Sequence, residues 1–155
     1  MDNLNVLLYN IPEYELARLQ RIQNCAAKTI TCKRKFDHVT PILKELHWLP
    51  VRERIQFKIL LITYKALHGL APQYITDLLG YNTSPYNTRA ADDPLRLHIP
   101  GTKHQTFADR SFSVAAPKLW NDVPLHIRQS KSIECFKSGL KTHLFVNAKM
   151  FKNYF

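Results

Sequence analysis

HWLPVRERIQFKILLITYKALHG, residues 47–69, is the stretch that decides the fold. Pro50 suits a helix start, because its ring fixes φ near the helical value and its missing N–H is one that a first turn leaves unbonded. Gly69 offers the left-handed cap with which helices commonly end. Between them Val51, Ile55, Ile59, Leu60, Ile62, Ala66 and Leu67 cover one broad side at 100° per residue, and Phe57 and Tyr64 widen it. Arg54, Lys58 and Lys65 leave only a narrow polar stripe. So wide an apolar face predicts a helix at the centre of the core.

Upstream, Pro12 opens a second amphipathic helix of about five turns. Leu16, Leu19, Ile22, Ala26 and Ile30 recur at steps of three and four, which predicts that they share the inner face. The helix ends before Lys33-Arg34-Lys35, where cations complement the helix dipole. Thr40-Pro41 predicts a cap and first turn for a short helix through Leu46, with Ile42, Leu43 and Leu46 inward. His47-Trp48-Leu49-Pro50 then turns the chain.

Downstream, Ala71-Pro72 starts a short helix through Leu79, followed by Gly80. Residues 80–94, rich in Asn, Thr, Ser, Pro and Asp, read as an irregular connection. Leu95, Leu97 and Ile99 alternate with Arg96 and His98, which predicts a short strand. From Ser111 to Trp120 the chain is apolar, with Pro117 expected to interrupt any long helix. Ile133, Phe136, Leu140 and Leu144 then form the stripe of a terminal helix, with Lys137 and Lys141 off it. The expectation is a mainly α fold: a small helical bundle with a short β element and an irregular connection in the second half. Residues 1–80 form a helical subdomain, 81–145 a second subregion, and 146–155 a loosely attached tail.

With 155 residues, 45% of them hydrophobic and 22% charged, the chain has enough apolar surface for a real core. Its net charge is +10, and residues 101–155 hold nine Lys/Arg against three Asp/Glu. Such a field favours a polyanionic partner, without choosing between nucleic acid and anionic lipid. Cys25, Cys32 and Cys135 are too few and too unevenly spaced for a disulfide framework, which points to a reducing compartment. The first ten residues lack the basic head and long apolar run of a signal peptide, and no apolar run reaches membrane-spanning length. An intracellular protein, nuclear or cytoplasmic and not in a membrane, is expected.

Catalytic patterns fail one by one. Ala90-Ala91-Asp92-Asp93 carries the paired carboxylates of a two-metal polymerase turn, but it follows Asn87-Thr88-Arg89 and precedes Pro94, with no apolar strand before it. A solvated loop is the expected setting. Cys25, Cys32 and His38 match no compact zinc spacing, so neither a metal nor a cofactor is expected. His47 and His68 flank helix ends and are expected to cap carbonyls or pack on Trp48 and Tyr64. Glycines stand only at 69, 80, 101 and 139, too scattered for a phosphate-cradling loop or a nucleophile elbow. Trp48 and Trp120 each lie beside Leu and shortly before Pro, which favours core anchors at turns over base-stacking platforms.

One resemblance gathers these segments. Leu19-Gln20-Arg21-Ile22-Gln23-Asn24-Cys25-Ala26-Ala27, His47-Trp48-Leu49-Pro50-Val51, Arg54-Ile55 with Phe57-Lys58-Ile59, and Thr63-Tyr64-Lys65-Ala66-Leu67-His68-Gly69 resemble, in this order, part of the C-terminal region of LINE-type (non-LTR) retrotransposon reverse transcriptases of the jockey-like group. Arg110-Ser111-Phe112-Ser113-Val114-Ala115-Ala116-Pro117-Lys118-Leu119-Trp120-Asn121 and Phe136-Lys137-Ser138-Gly139-Leu140-Lys141-Thr142-His143-Leu144-Phe145 are similar to that family's closing segments. The likeness spans about residues 4–145. It implies a helical thumb or post-palm region of an RNA-directed DNA polymerase, with Met1 falling after the palm's metal-binding carboxylates and no endonuclease ahead of it. No catalytic residue carries over, and no enzymatic activity is expected.

The expected role is a non-catalytic remnant that binds RNA or DNA through backbone charge, independent of sequence. Lys33, Arg34, Lys35, Arg54, Lys58, Lys65, Lys137 and Lys141 are the candidate contacts. The alternatives are a protein-interaction module that self-associates through an apolar face once turned to the palm, and a degenerate reading frame without selected function.

Overall fold

A computed structural model describes residues 8–81, 93–101 and 110–148. Most of the connection expected at 80–94, including Asp92, and the end of the expected tail beyond residue 148 lie outside the described residues.

The protein is mainly helical, a small bundle with seven helices among the described residues. α1 is Glu13–Ile30, α2 Val39–Glu45, α3 Val51–Leu67 and α4 Gln73–Thr76. α5 is Phe112–Asp122, α6 Leu125–Arg128 and α7 Ile133–Asn147. Prolines 12, 50, 72 and 124 each stand immediately before a helix, as their fixed φ and missing N–H favour. α7 instead uses Ser132, whose hydroxyl accepts from the Cys135 N–H. α2 begins at Val39, so His38 rather than Thr40 is its N-cap, and α4 ends at Thr76, short of Leu79.

Three helices end alike. After α3, Gly69 takes φ +68° and Leu70 N–H donates to Lys65 O at 2.8 Å, closing a Schellman turn. After α1 and α2, Cys32 (φ +53°) and His47 (φ +52°) fill the same left-handed position, with Lys33 N–H bonded to Lys28 O and Trp48 N–H to Leu43 O. A side chain there costs on the order of 1 kcal/mol relative to glycine.

α3 is the central helix, with α5, α7, α1 and α4 packed against it. Leu60 and Tyr64 meet Trp120, Phe136, Leu140 and Leu144 in one cluster, while Ile55 and Ile59 meet Leu16 and Ala116 in another. Tyr64 stacks on Phe136 at 4.3 Å between ring centres, and its hydroxyl donates to Ser130 O. Each of the large apolar side chains buried here contributes roughly 1.5–3 kcal/mol. Ala27, Ile42 and Leu43 form a third cluster between α1 and α2, on which Trp48 leans.

Further expectations change. Leu16 is buried on α1, but Ile22 and Ile30 are 67% and 59% exposed and Ala26 is exposed too. Ala27 is buried in their place, beside half-buried Gln20 and Gln23. These amides dock the helix: Gln20 Oε1 accepts from Val51 N–H, and Gln23 Nε2 donates to Leu49 O at 2.8 Å. Polar groups that satisfy a chain turn therefore override the apolar periodicity. Second, Pro117 sits inside α5 and is buried. One lost N–H does not break a short helix whose Val114, Ala115, Ala116 and Trp120 are all buried.

Third, no strand forms among the described residues; only an isolated bridge pairs Tyr81 with Leu97. The reason is Asn121, whose Oδ1 accepts from Leu97 N–H and whose Nδ2 donates to Leu97 O, both at 2.9 Å. One side-chain amide takes the place of a neighbouring strand. Trp120 Nε1 donates to Leu95 O, so α5 fastens this segment twice. Asp93 is not a solvated loop residue either. Its Oδ2 lies 2.6 Å from Nη2 of Arg128, a buried guanidinium that also donates through Nε to Val123 O.

Candidate nucleic-acid interface

Arg54 and Lys58, four residues apart, project from one edge of α3. α7 runs antiparallel to α3: Phe136 stacks on Tyr64 toward the C-terminal end of α3, and Lys141 lies with Arg54, Phe57 and Lys58 toward its N-terminal end. The result is an open cleft of about 330 Å³, lined by Gln23, His47, Trp48, Leu49 and these four residues. Its lining holds three full cations and no carboxylate.

Each wall has a local cause. The left-handed turn at His47 redirects the chain so that Trp48 leaves α2 sideways, half-buried, with one side on the α1–α2 cluster. The Gln23 bond to Leu49 O holds that turn against α1. Phe57 is half-buried between the charged edge of α3 and the core. Two aromatic rings thus share a cleft with three cations, the combination that suits an unstacked base and its phosphates.

The other candidates stand apart. Lys65 follows Lys58 by two turns on the same stripe, about 10 Å further along α3. Lys137 is one turn before Lys141 and pairs with Glu134 at 2.9 Å. Lys33, Arg34 and Lys35 are exposed beyond the far end of α1, in a turn closed by Arg34 N–H on the Asp37 carboxylate. They do not line the cleft. Of the eight candidates, Arg54, Lys58 and Lys141 are brought together.

Sequence reasoning assigned Trp48 to the core and did not single out Phe57 for binding. Trp120 is a core anchor at 1% exposure, but Trp48 is not its equivalent. The signal available in the sequence was Trp48's position directly beside His47 and six residues before Arg54.

No known protein family, curated protein or solved structure matches the chain. Among the described residues, no three His, Cys, Asp or Glu side chains gather as metal ligands, and no helix is long and apolar enough to cross a membrane. The three cysteines are exposed and unpaired with one another.

Proposed function

We propose that this protein holds single-stranded RNA or DNA without sequence preference, as a non-catalytic module of the kind that follows the palm in LINE-type reverse transcriptases. The observation that supports this is the cleft in which Arg54, Lys58 and Lys141 surround Trp48 and Phe57. Phosphates sit on the cations and a base stacks on the indole or phenyl ring that lines the cleft. A duplex, with its bases already stacked, uses the charge alone. The resemblance across about residues 4–145 points to the same role, because a thumb region grips template and primer.

The test is a binding titration with labelled single-stranded RNA, single-stranded DNA and duplex DNA across a salt series. Three phosphate contacts give a slope of about −2 in log affinity against log salt for a single strand. Neutralising Lys58 or Lys141 lowers that slope by roughly 0.7 each, and Trp48→Ala weakens the single strands more than the duplex. Neutralising Lys33, Arg34 and Lys35 changes the affinity less than neutralising the three cleft cations. Salt-insensitive binding, or binding indifferent to Lys58 and Lys141, overturns the assignment.

A further inference from the structure

Given the role proposed for the cleft, we infer that Gln20, which does not itself line it, is a positioning residue that sets Trp48 against the cleft cations and so determines the preference for single strands. Gln20 and Gln23 lie one turn apart on α1, and their amides are coupled. Gln20 Nε2 donates to Gln23 Oε1 at 3.0 Å and to Asn24 Oδ1 at 2.8 Å. Gln20 Oε1 accepts from Val51 N–H at 2.9 Å, and Gln23 Nε2 donates to Leu49 O at 2.8 Å. Both hydrogens and the oxygen of the Gln20 amide are thereby used.

The orientation of both amides is forced. Val51 N–H can meet only an acceptor and Leu49 O only a donor, so neither amide can turn over without setting two donors or two oxygens together. α3 has no capping side chain of its own, and Gln20 supplies from α1 the acceptor that its first turn lacks. Trp48, the residue before Leu49, is tied on its other side by its N–H on Leu43 O at 2.9 Å. The indole therefore hangs from two fixed points, one on α2 and one on α1. Arg54 and Lys58 take their places from α3, which α5 and α7 also pack, and Lys141 takes its place from α7. Releasing the amides shifts the ring and leaves the cations where they are. A duplex is held by charge, whereas a single strand also needs the ring in register with its bases. Gln20 thus governs the difference between the two ligands, and the cations govern the affinity common to both.

Gln20→Ala, Trp48→Ala and the double variant, titrated with labelled oligothymidine and with a DNA duplex of the same length across a salt series, test this. Trp48→Ala is expected to weaken the single strand on the order of tenfold and the duplex by less than about twofold, since only the stacked base is lost. Gln20→Ala gives most of the same loss with the salt slope unchanged, and the double variant loses no more than Trp48→Ala alone. Gln20→Glu keeps an acceptor for Val51 N–H, so the first turn of α3 stays satisfied, but it sets an oxygen against Gln23 Oε1. Its added charge weakens both probes, and the single strand is again weakened more. The two tryptophans supply a structural readout by NMR. The indole N–H signal of Trp120, held on Leu95 O at 2.9 Å, stays in place in the Gln20 variants while that of Trp48 shifts. Equal losses on the two probes, losses that add in the double variant, or a Gln20→Glu protein that keeps the native ratio of the two affinities overturns the inference. Trp48→Ala without effect on the single strand overturns instead the role proposed for the cleft.

Discussion

Asn121→Ala tests whether one side chain can replace a strand. In the native protein Asn121 satisfies both the N–H and the C=O of Leu97, a residue only 1% exposed. Truncation leaves a donor and an acceptor buried with nothing to bond. Each such group costs roughly 1–3 kcal/mol. Asn121 is itself half-buried, so little apolar contact is lost with it. The expected destabilisation is about 3 kcal/mol, a fall of roughly 1–2 M in the urea midpoint for a chain of this size. Asn121→Asp restores the acceptor but sets a carboxylate against Leu97 O, and recovers no more than part of the loss. Hydrogen exchange localises the effect: the Leu97 amide loses its protection while amides in α3 change only with global stability. A loss below about 1 kcal/mol with Leu97 still protected would refute the latch.

Other perturbations follow from the same contacts. Asp93→Asn strands the Arg128 guanidinium, 5% exposed and already with Nη1 unbonded, and should cost about 3 kcal/mol in chemical denaturation. His47→Gly removes the left-handed side chain and should stabilise the fold by about 1 kcal/mol in the same assay, at the expense of one wall of the cleft. Glu53 gives the pH dependence. Burial pushes its carboxyl above the ordinary 4.5, against smaller lowering by a hydrogen bond from its own backbone and by Arg52. A carboxyl raised on folding contributes fully below pH 4.5, and that contribution is lost as pH rises through the folded value. Glu53→Gln should therefore raise the melting temperature at pH 7 and leave it nearly unchanged at pH 4, measured by scanning calorimetry.

The central helix was legible because everything about it agrees: Pro50 before it, Gly69 after it, and apolar residues over most of its circumference. The stripe of Phe136, Leu140 and Leu144 on α7 was legible for the same reason. On α1 the period was right and the face was wrong. Apolar periodicity cannot register that Gln20 and Gln23 are needed inside to bond the turn at Leu49 and Val51. The alternation at Leu95, Leu97 and Ile99 predicted a strand because it is blind to which partner supplies the hydrogen bonds, and here that partner is Asn121. The three cleft cations lie off the apolar stripes of their helices, which is all that local sequence shows of them. Their convergence depends on α7 running antiparallel to α3, a long-range fact that no local window contains.

The position of α3 has a consequence for synthesis. Its inner face, with Ile59, Leu60 and Tyr64, is covered by α5 and α7, which leave the ribosome only after a long stretch of intervening chain. At about 5–20 residues per second, completing α7 after α3 takes roughly 4–15 s. Until then the central helix of the protein lacks part of its cover. Nascent chains stalled between α4 and α5 are therefore the form of this protein most dependent on a holding chaperone.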